Sequence, residues 1–157
     1  MSTVKEAVDV DVPLRAAYGQ WTQFEEFPRF MEGVEEVRQL DDRHNHWTTV
    51  IGGVRREFDT EIVDQLPDDR ITWRTVTGET QQRGSVRFER IDDMHTRVEL
   101  TMEVEPSGLA EKGADALGMI DRRVKGDLRR FKDYVEGSGG DAGWRGRIQP
   151  GDPGRTL

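Results

Sequence analysis

The sequence predicts an α+β domain in which a seven-stranded, curved antiparallel sheet closes around one long C-terminal helix, with two short helices between the first two strands. Three observations predict it. Apolar residues recur with period two in residues 3–12 and again through 34–105; the segments joining those strands are too short for helical crossovers; and after Pro106 the period becomes that of a single amphipathic helix. The chain has 157 residues, 34% of them hydrophobic and 34% charged, so it can build one core only if its apolar groups are gathered on particular faces.

The first strand carries Val4, Glu6, Val8, Val10 and Val12 on one face and Lys5, Ala7, Asp9 and Asp11 on the other. Pro13 suits the first turn of a helix, where its missing N–H costs nothing, and Leu14, Ala17, Tyr18 and Trp21 fall on one helical stripe. Residues 24–31 are dense in aromatics and interrupted by Pro28, which reads as a second short helix or turn ending near Gly33. Turn-forming clusters at Asp41-Asp42-Arg43, Gly52-Gly53, Pro67-Asp68-Asp69, Thr77-Gly78-Glu79 and Asp92-Asp93 then cut the chain into six strands. Their inward parities read Trp47/Thr49/Ile51, Val54/Arg56/Phe58/Thr60/Ile62, Ile71/Trp73/Thr75, Gln82/Gly84/Val86/Phe88 and Val98/Leu100/Met102/Val104, while the opposite parity is mostly charged. A sheet of that kind has one wet face and one that must be covered.

The predicted cover is a helix running to about Glu136, with Ala110, Gly113, Leu117, Ile120, Val124, Leu128, Phe131 and Val135 in one stripe. Arg122, Arg129, Arg130 and Asp133 take the other side, with Met119 exposed among them. The domain therefore spans residues 1–136, and 137–157 form a flexible Gly/Pro-rich tail whose one aromatic anchor is Trp144.

Charge and composition exclude several function classes. A formal net charge of -8 argues against a general attraction to phosphate backbones or anionic lipid surfaces, so nucleic acid is not an expected partner. There are no cysteines, hence neither a disulfide framework nor a thiolate metal site. The N-terminus lacks an apolar signal core and nothing approaches the roughly 18 apolar residues of a membrane span, so a cytoplasmic protein without stable membrane insertion is expected. No nucleophile elbow, dinucleotide fingerprint or P-loop is present, and no cofactor is expected. His44 and His46 have a metal-like spacing but no carboxylate motif completes it, so no metal is expected, and His95 beside Asp92 and Asp93 reads as a solvated turn residue.

The run A-Y-G-Q-W-T-Q-F-E-E-F-P-R-F-M-E-G-V-E-E-V at residues 17–37 resembles the signature region of bacterial polyketide cyclase/dehydrase proteins of the SRPBCC/START-like superfamily. The likeness continues through H-W-T-T-V-I-G-G-V-R-R-E-F at 46–58, D-D-R-I-T-W at 68–73, G-D-L-R-R-F-K-D-Y-V-E at 126–136 and the actinobacterial-type G-W-R-G at 143–146. This resemblance implies the helix-grip fold, with a hydrophobic cavity between sheet and helix. It implies an activity less sharply, because the family includes aromatase/cyclases acting on acyl-carrier-bound polyketides, coenzyme Q-binding proteins, plant hormone and pathogenesis-related binders.

Three function classes follow: a binder of a lipid, quinone or polyketide-like aromatic; a polyketide aromatase/cyclase-dehydrase with an acyl-carrier protein as partner; and a non-catalytic interaction or stress-related module with a filled core. For the first two, Trp47, Phe58, Trp73, Phe88 and Met102 form the expected walls, Gln82 and Thr75 supply hydrogen bonds, and Gly113, Leu117 and Val124 line the roof. Any one wall residue taken alone is better read as ordinary core packing; the cavity expectation rests on the set. Arg56, charged on an apolar parity, either meets a ligand carbonyl or carboxylate in the cavity or pairs internally with Asp121. In a cyclase it would polarise a carbonyl, with Tyr18 aiding proton transfer.

Overall fold

Each change of hydrophobic period in the sequence coincides with a change of element in the computed structural model, which describes residues 2–51, 53–78, 81–104 and 114–137. In chain order these are β1 (Ser2–Val10), α1 (Leu14–Trp21), a 3₁₀ helix (Phe24–Arg29), β2 (Val34–Gln39), β3 (His44–Ile51), β4 (Val54–Leu66), β5 (Arg70–Thr77), β6 (Gln82–Asp92), β7 (His95–Val104) and α2 (Ala114–Gly137). The strands form one sheet in the order β1-β7-β6-β5-β4-β3-β2. Every adjacent pair is antiparallel, so the predicted fold class holds. Consecutive strands from β2 to β7 pair as a meander, and β1 returns to the free edge of β7.

Local chemistry sets the corners. The β3–β4 hairpin turns between Ile51 and Val54, and Gly53 has φ +80°, a left-handed conformation that a side chain would resist. Val12 lies beyond β1 yet is buried, because the chain bends at Asp11 and is tied down there. The Asp11 N–H donates to Glu136 Oε2 at 2.7 Å, and Thr96 Oγ1 donates to the Val12 carbonyl at 2.9 Å. A bulge between Ile62 and Asp64 shifts the parity of β4, so that Gln65, opposite Ile71, is buried within the sheet's covered face.

The helix α2 buries Val124, Leu128, Phe131 and Val135 against the sheet and leaves Met119, Arg122, Arg129 and Asp133 exposed, as its stripe predicts. Its C-terminal half is fastened on both sides. Toward β1, Lys132 Nζ donates to the Asp9 carbonyl at 3.1 Å. Toward the 3₁₀ segment, Tyr134 Oη donates to Glu26 at 2.5 Å, Arg123 to the Glu32 carbonyl at 3.0 Å and Arg130 Nε to the Phe30 carbonyl at 2.9 Å. Asp127 accepts from the Glu32 N–H at 3.1 Å and from Arg130. Burial pushes the Asp127 carboxyl above the usual carboxylate range, and the Arg130 guanidinium offsets part of that rise. Ala110, Gly113 and the tail from residue 138, with Trp144, lie outside the described residues, and α2 runs one residue past the expected boundary, to Gly137.

Candidate functional site

The covered face of the sheet divides along the strands into two regions. Near the β4–β5 turn, α1, the 3₁₀ helix and α2 converge on it with aromatic side chains. Trp21, 1% exposed, meets Phe131 with ring centroids 4.8 Å apart, Phe27 at 5.6 Å, Phe30 at 6.2 Å and Phe88 at 6.4 Å. Phe24 packs on Phe27 at 5.0 Å, and Tyr18 stands edge-on to Phe88 at 5.6 Å. Edge-to-face geometry aligns the ring quadrupoles, so this end is a well-packed floor. Trp21 Nε1 has no hydrogen-bond partner among the described residues, a cost of about 1–3 kcal/mol that the ring contacts must outweigh.

Toward the β3–β4 hairpin the same face changes character. Trp47 and Phe58, cross-strand partners, stack with centroids 5.9 Å apart and planes 10° from parallel. Trp47 Nε1 donates to Thr60 Oγ1 at 2.8 Å, which fixes the indole. Trp73, Gly84, Met102 and Val4 lie in one cross-strand row. The Trp73 ring rests directly on Gly84, where a Cβ would come within 2.3 Å of it. Thr49, Thr60 and Thr75 are buried on this face, and Thr75 Oγ1 accepts from the Gln82 N–H at 3.1 Å. Phe58, Gln82 and Met102, by contrast, are only half-buried.

The structure thus brings Trp47, Phe58, Trp73, Gln82 and Met102 onto one surface, with Val124 on the helix above the sheet. Phe88 belongs to the floor, against Tyr18 and Trp21. Gly113 lies outside the described residues, and Leu117 falls on α2 where its side chain is likewise not described. Trp21, Phe27, Phe30 and Phe131, which pack together beneath α2, were absent from the expected walls. Their signal was the aromatic density of residues 21–30 beside a helical Phe131.

Two expectations require correction. Arg56 has the predicted inner parity, opposite Thr49, but it is exposed rather than enclosed, because β4 continues beyond the covered part of the sheet. Asp121, the anticipated internal partner, contacts Lys125 at 3.2 Å and shares a hydrogen bond with Glu6 instead. That bond, with burial, holds the Glu6 carboxyl above its ordinary value and keeps Asp121 below its own. Second, Tyr18 and Arg56 are at opposite ends of β4: Tyr18 packs on Phe88, whose N–H reaches the Asp69 carbonyl in the β4–β5 turn, whereas Arg56 sits beside the β3–β4 turn. The structure does not bring the two side chains together.

The histidines lie off this surface. His46 Nδ1 contacts Asp59 Oδ1 at 2.6 Å and Nε2 contacts Glu57 Oε1 at 3.1 Å, an arrangement that raises its pKa chiefly through the Asp59 bond. His44 meets Asp41 at 2.9 Å, and His95 meets Asp92 at 2.6 Å. Among the described residues no cluster of three or more His, Cys, Asp or Glu side chains is arranged to hold a metal. No helix among them is long and apolar enough to cross a membrane.

Comparison with known proteins agrees with this architecture. A protein from Deinococcus radiodurans superposes with a TM-score of 0.69 at 22% identity, covering 87% of this chain and 99% of its own. A START superfamily protein from Mycobacterium smegmatis gives 0.70 at 15% identity, covering 87% and 98%. The Zhui aromatase/cyclase from Streptomyces sp. R1128 gives 0.73 at 15% identity, covering 86% and 93%. These share the helix-grip, START-like fold. In sequence, an uncharacterised 17.2 kDa protein of Streptomyces lincolnensis is 50% identical over 149 residues, 94% of this chain and 99% of its own length. Residues 10–133 match the model of the family described as polyketide cyclase/dehydrase and lipid transport, and it is to this family that the chain belongs.

Proposed function

We propose that this protein binds a hydrophobic small molecule, a lipid, quinone or polyketide-like aromatic, between the hairpin half of the inner sheet face and α2. The observation that carries the reading is the unequal burial of one continuous surface. Phe58 and Met102 face inward beside buried cross-strand partners, Trp47 for the one and Gly84 and Val4 for the other, yet stay half-buried themselves. Parallel aromatic faces and a flexible thioether favour a flat apolar ligand. The buried hydroxyls of Thr49 and Thr75 and the half-buried Gln82 offer a few polar contacts, and Arg56 at the rim suits an oxygenated end of the ligand.

The test is titration with a naphthyl-labelled fatty acid, read by quenching of tryptophan fluorescence, together with native mass spectrometry of protein purified from its own host. Saturable one-to-one binding and a co-purifying apolar molecule support the reading; failure of a broad lipid, quinone and aromatic library to bind removes it. Arg56→Leu is expected to weaken oxygenated ligands about tenfold while the fold remains intact.

A second reading, an aromatase/cyclase served by an acyl-carrier protein in the cytoplasm, draws support from the family and from Arg56 at the rim. The separation of Tyr18 from Arg56 counts against it, because carbonyl polarisation and proton transfer must meet at one substrate centre. Single-turnover assays with a carrier-bound poly-β-keto chain, with Arg56→Leu and Tyr18→Phe compared, separate the two readings.

A further inference from the structure

A cross-strand row of polar side chains runs through the covered face of the sheet. Asn45 on β3 is opposite Thr60 on β4, and Thr60 is opposite Thr75 on β5. All three are buried, at 1%, 2% and 6% exposure. The row lies between the stacked Trp47 and Phe58 on the hairpin side and the paired Ile62 and Trp73 on the other. Strand spacing sets neighbouring members about 5 Å apart, so one oxygen placed between two of them is within hydrogen-bonding reach of both.

The hydrogen bonds of this row are incomplete. Thr60 Oγ1 accepts from Trp47 Nε1 at 2.8 Å, and Thr75 Oγ1 accepts from the Gln82 N–H at 3.1 Å. A hydroxyl that accepts still has its own hydrogen to give, and neither is given to an acceptor among the described residues. Asn45 Oδ1 is the complement, an enclosed acceptor with no donor among the described residues. Buried polar atoms are nearly always paired, and an unpaired one destabilises the fold that contains it. Trp21 Nε1 is also unpaired but lies in the aromatic floor, whereas this row adjoins the half-buried Phe58 and Gln82.

Resting on the binding reading above, we propose that Asn45 and Thr60 recognise a hydroxyl group, a phenol or alcohol, on the apolar ligand, and that Asn45 is the residue that tells it from a carbonyl. A ligand hydroxyl is donor and acceptor at once: its oxygen takes the Thr60 hydrogen, and its own hydrogen goes to Asn45 Oδ1. Thr75, one strand further, offers a second donor. A ligand carbonyl meets Thr60 but leaves Asn45 Oδ1 unpaired, and a hydrocarbon leaves both. An ionised carboxylate has no hydrogen for Asn45 either. Sites that hold buried polar groups discriminate in this way because the wrong ligand strands them without partners.

The experiment titrates the full chain with three compounds of one carbon skeleton, ethylnaphthalene, acetylnaphthalene and naphthylethanol, all substituted at the same ring position. Wild-type protein is expected to bind the alcohol about tenfold tighter than the ethyl compound, with the ketone between them. Asn45→Leu, close in size, is expected to abolish the preference for alcohol over ketone and to leave the ethyl compound bound at least as well. Because that change removes an unpaired buried amide, the melting temperature measured without ligand is expected to hold or rise. A fall in melting temperature instead assigns Asn45 to the fold and overturns the proposal. Equal affinity of wild type for the three compounds overturns it without any variant, and so does a ketone bound more tightly than the alcohol. The naphthyl fatty acid is the independent control: protein that binds it and ranks the three compounds equally keeps the cavity and loses the hydroxyl site, whereas protein that binds none of the four loses both.

Discussion

The two ends of the covered face differ in how completely they are filled. Beneath α1, the 3₁₀ helix and the fastened half of α2, aromatic rings meet edge to face and the described side chains are almost wholly buried. Toward the hairpin, Phe58, Gln82 and Met102 on the same face keep part of their surface free. The same strands pass through both regions, so the contrast comes from what covers them. One end is packed throughout; the other, on the reading proposed above, takes the ligand.

Three substitutions break or sharpen that contrast. Trp21→Ala empties the centre of the aromatic floor and is expected to cost about 3–5 kcal/mol in chemical denaturation. A loss below about 1 kcal/mol would mean that the floor can collapse or was never tightly packed. Phe58→Ala removes a half-buried ring and is expected to cost roughly 1–2 kcal/mol. Its larger effect is on the naphthyl probe, whose affinity falls at least about tenfold; unchanged affinity would move the site away from the hairpin end.

His46→Gln is the smallest. The bonds to Asp59 and Glu57 raise the folded-state pKa of His46 above its ordinary value of 6.5. The stabilisation is therefore complete below pH 6.5 and is lost as pH rises through the folded-state value. Melting temperatures of wild type and His46→Gln are expected to differ at pH 6 and to converge at alkaline pH, with no change in ligand affinity because His46 lies on the opposite face. A difference that widens with pH would show the sign to be wrong.

Most of the fold was legible because period and punctuation are local signals. The alternation in residues 34–105 marked the strands, Gly52-Gly53 marked the hairpin, and the stripe from Val124 to Val135 marked the buried side of α2. The site was less legible because periodicity assigns a side chain to a face and says nothing of where the cover stops. Val54 and Arg56 have the inward parity of Phe58 but lie beyond the region that is covered. Gln65 reaches the interior only through a bulge that no pattern announced. Phe24, Phe27 and Phe30 gave no destination in sequence because a 3₁₀ segment with Pro28 follows neither the helical nor the strand period. Asp127 became a buried anchor only when the chain at Glu32 folded against it.

The contact between Trp73 and Gly84 bears on how such a pocket could be retuned. Since the indole rests against bare backbone, on the proposed binding reading the missing methyl at position 84 sets the height of the pocket wall, much as a shim sets a gap. Adding bulk beneath the ring would lift it into the space a guest occupies, whereas trimming position 73 would deepen that space without touching the floor around Trp21. On that reading, ligand size is adjustable from one side of the sheet, at residues outside the aromatic cluster around Trp21.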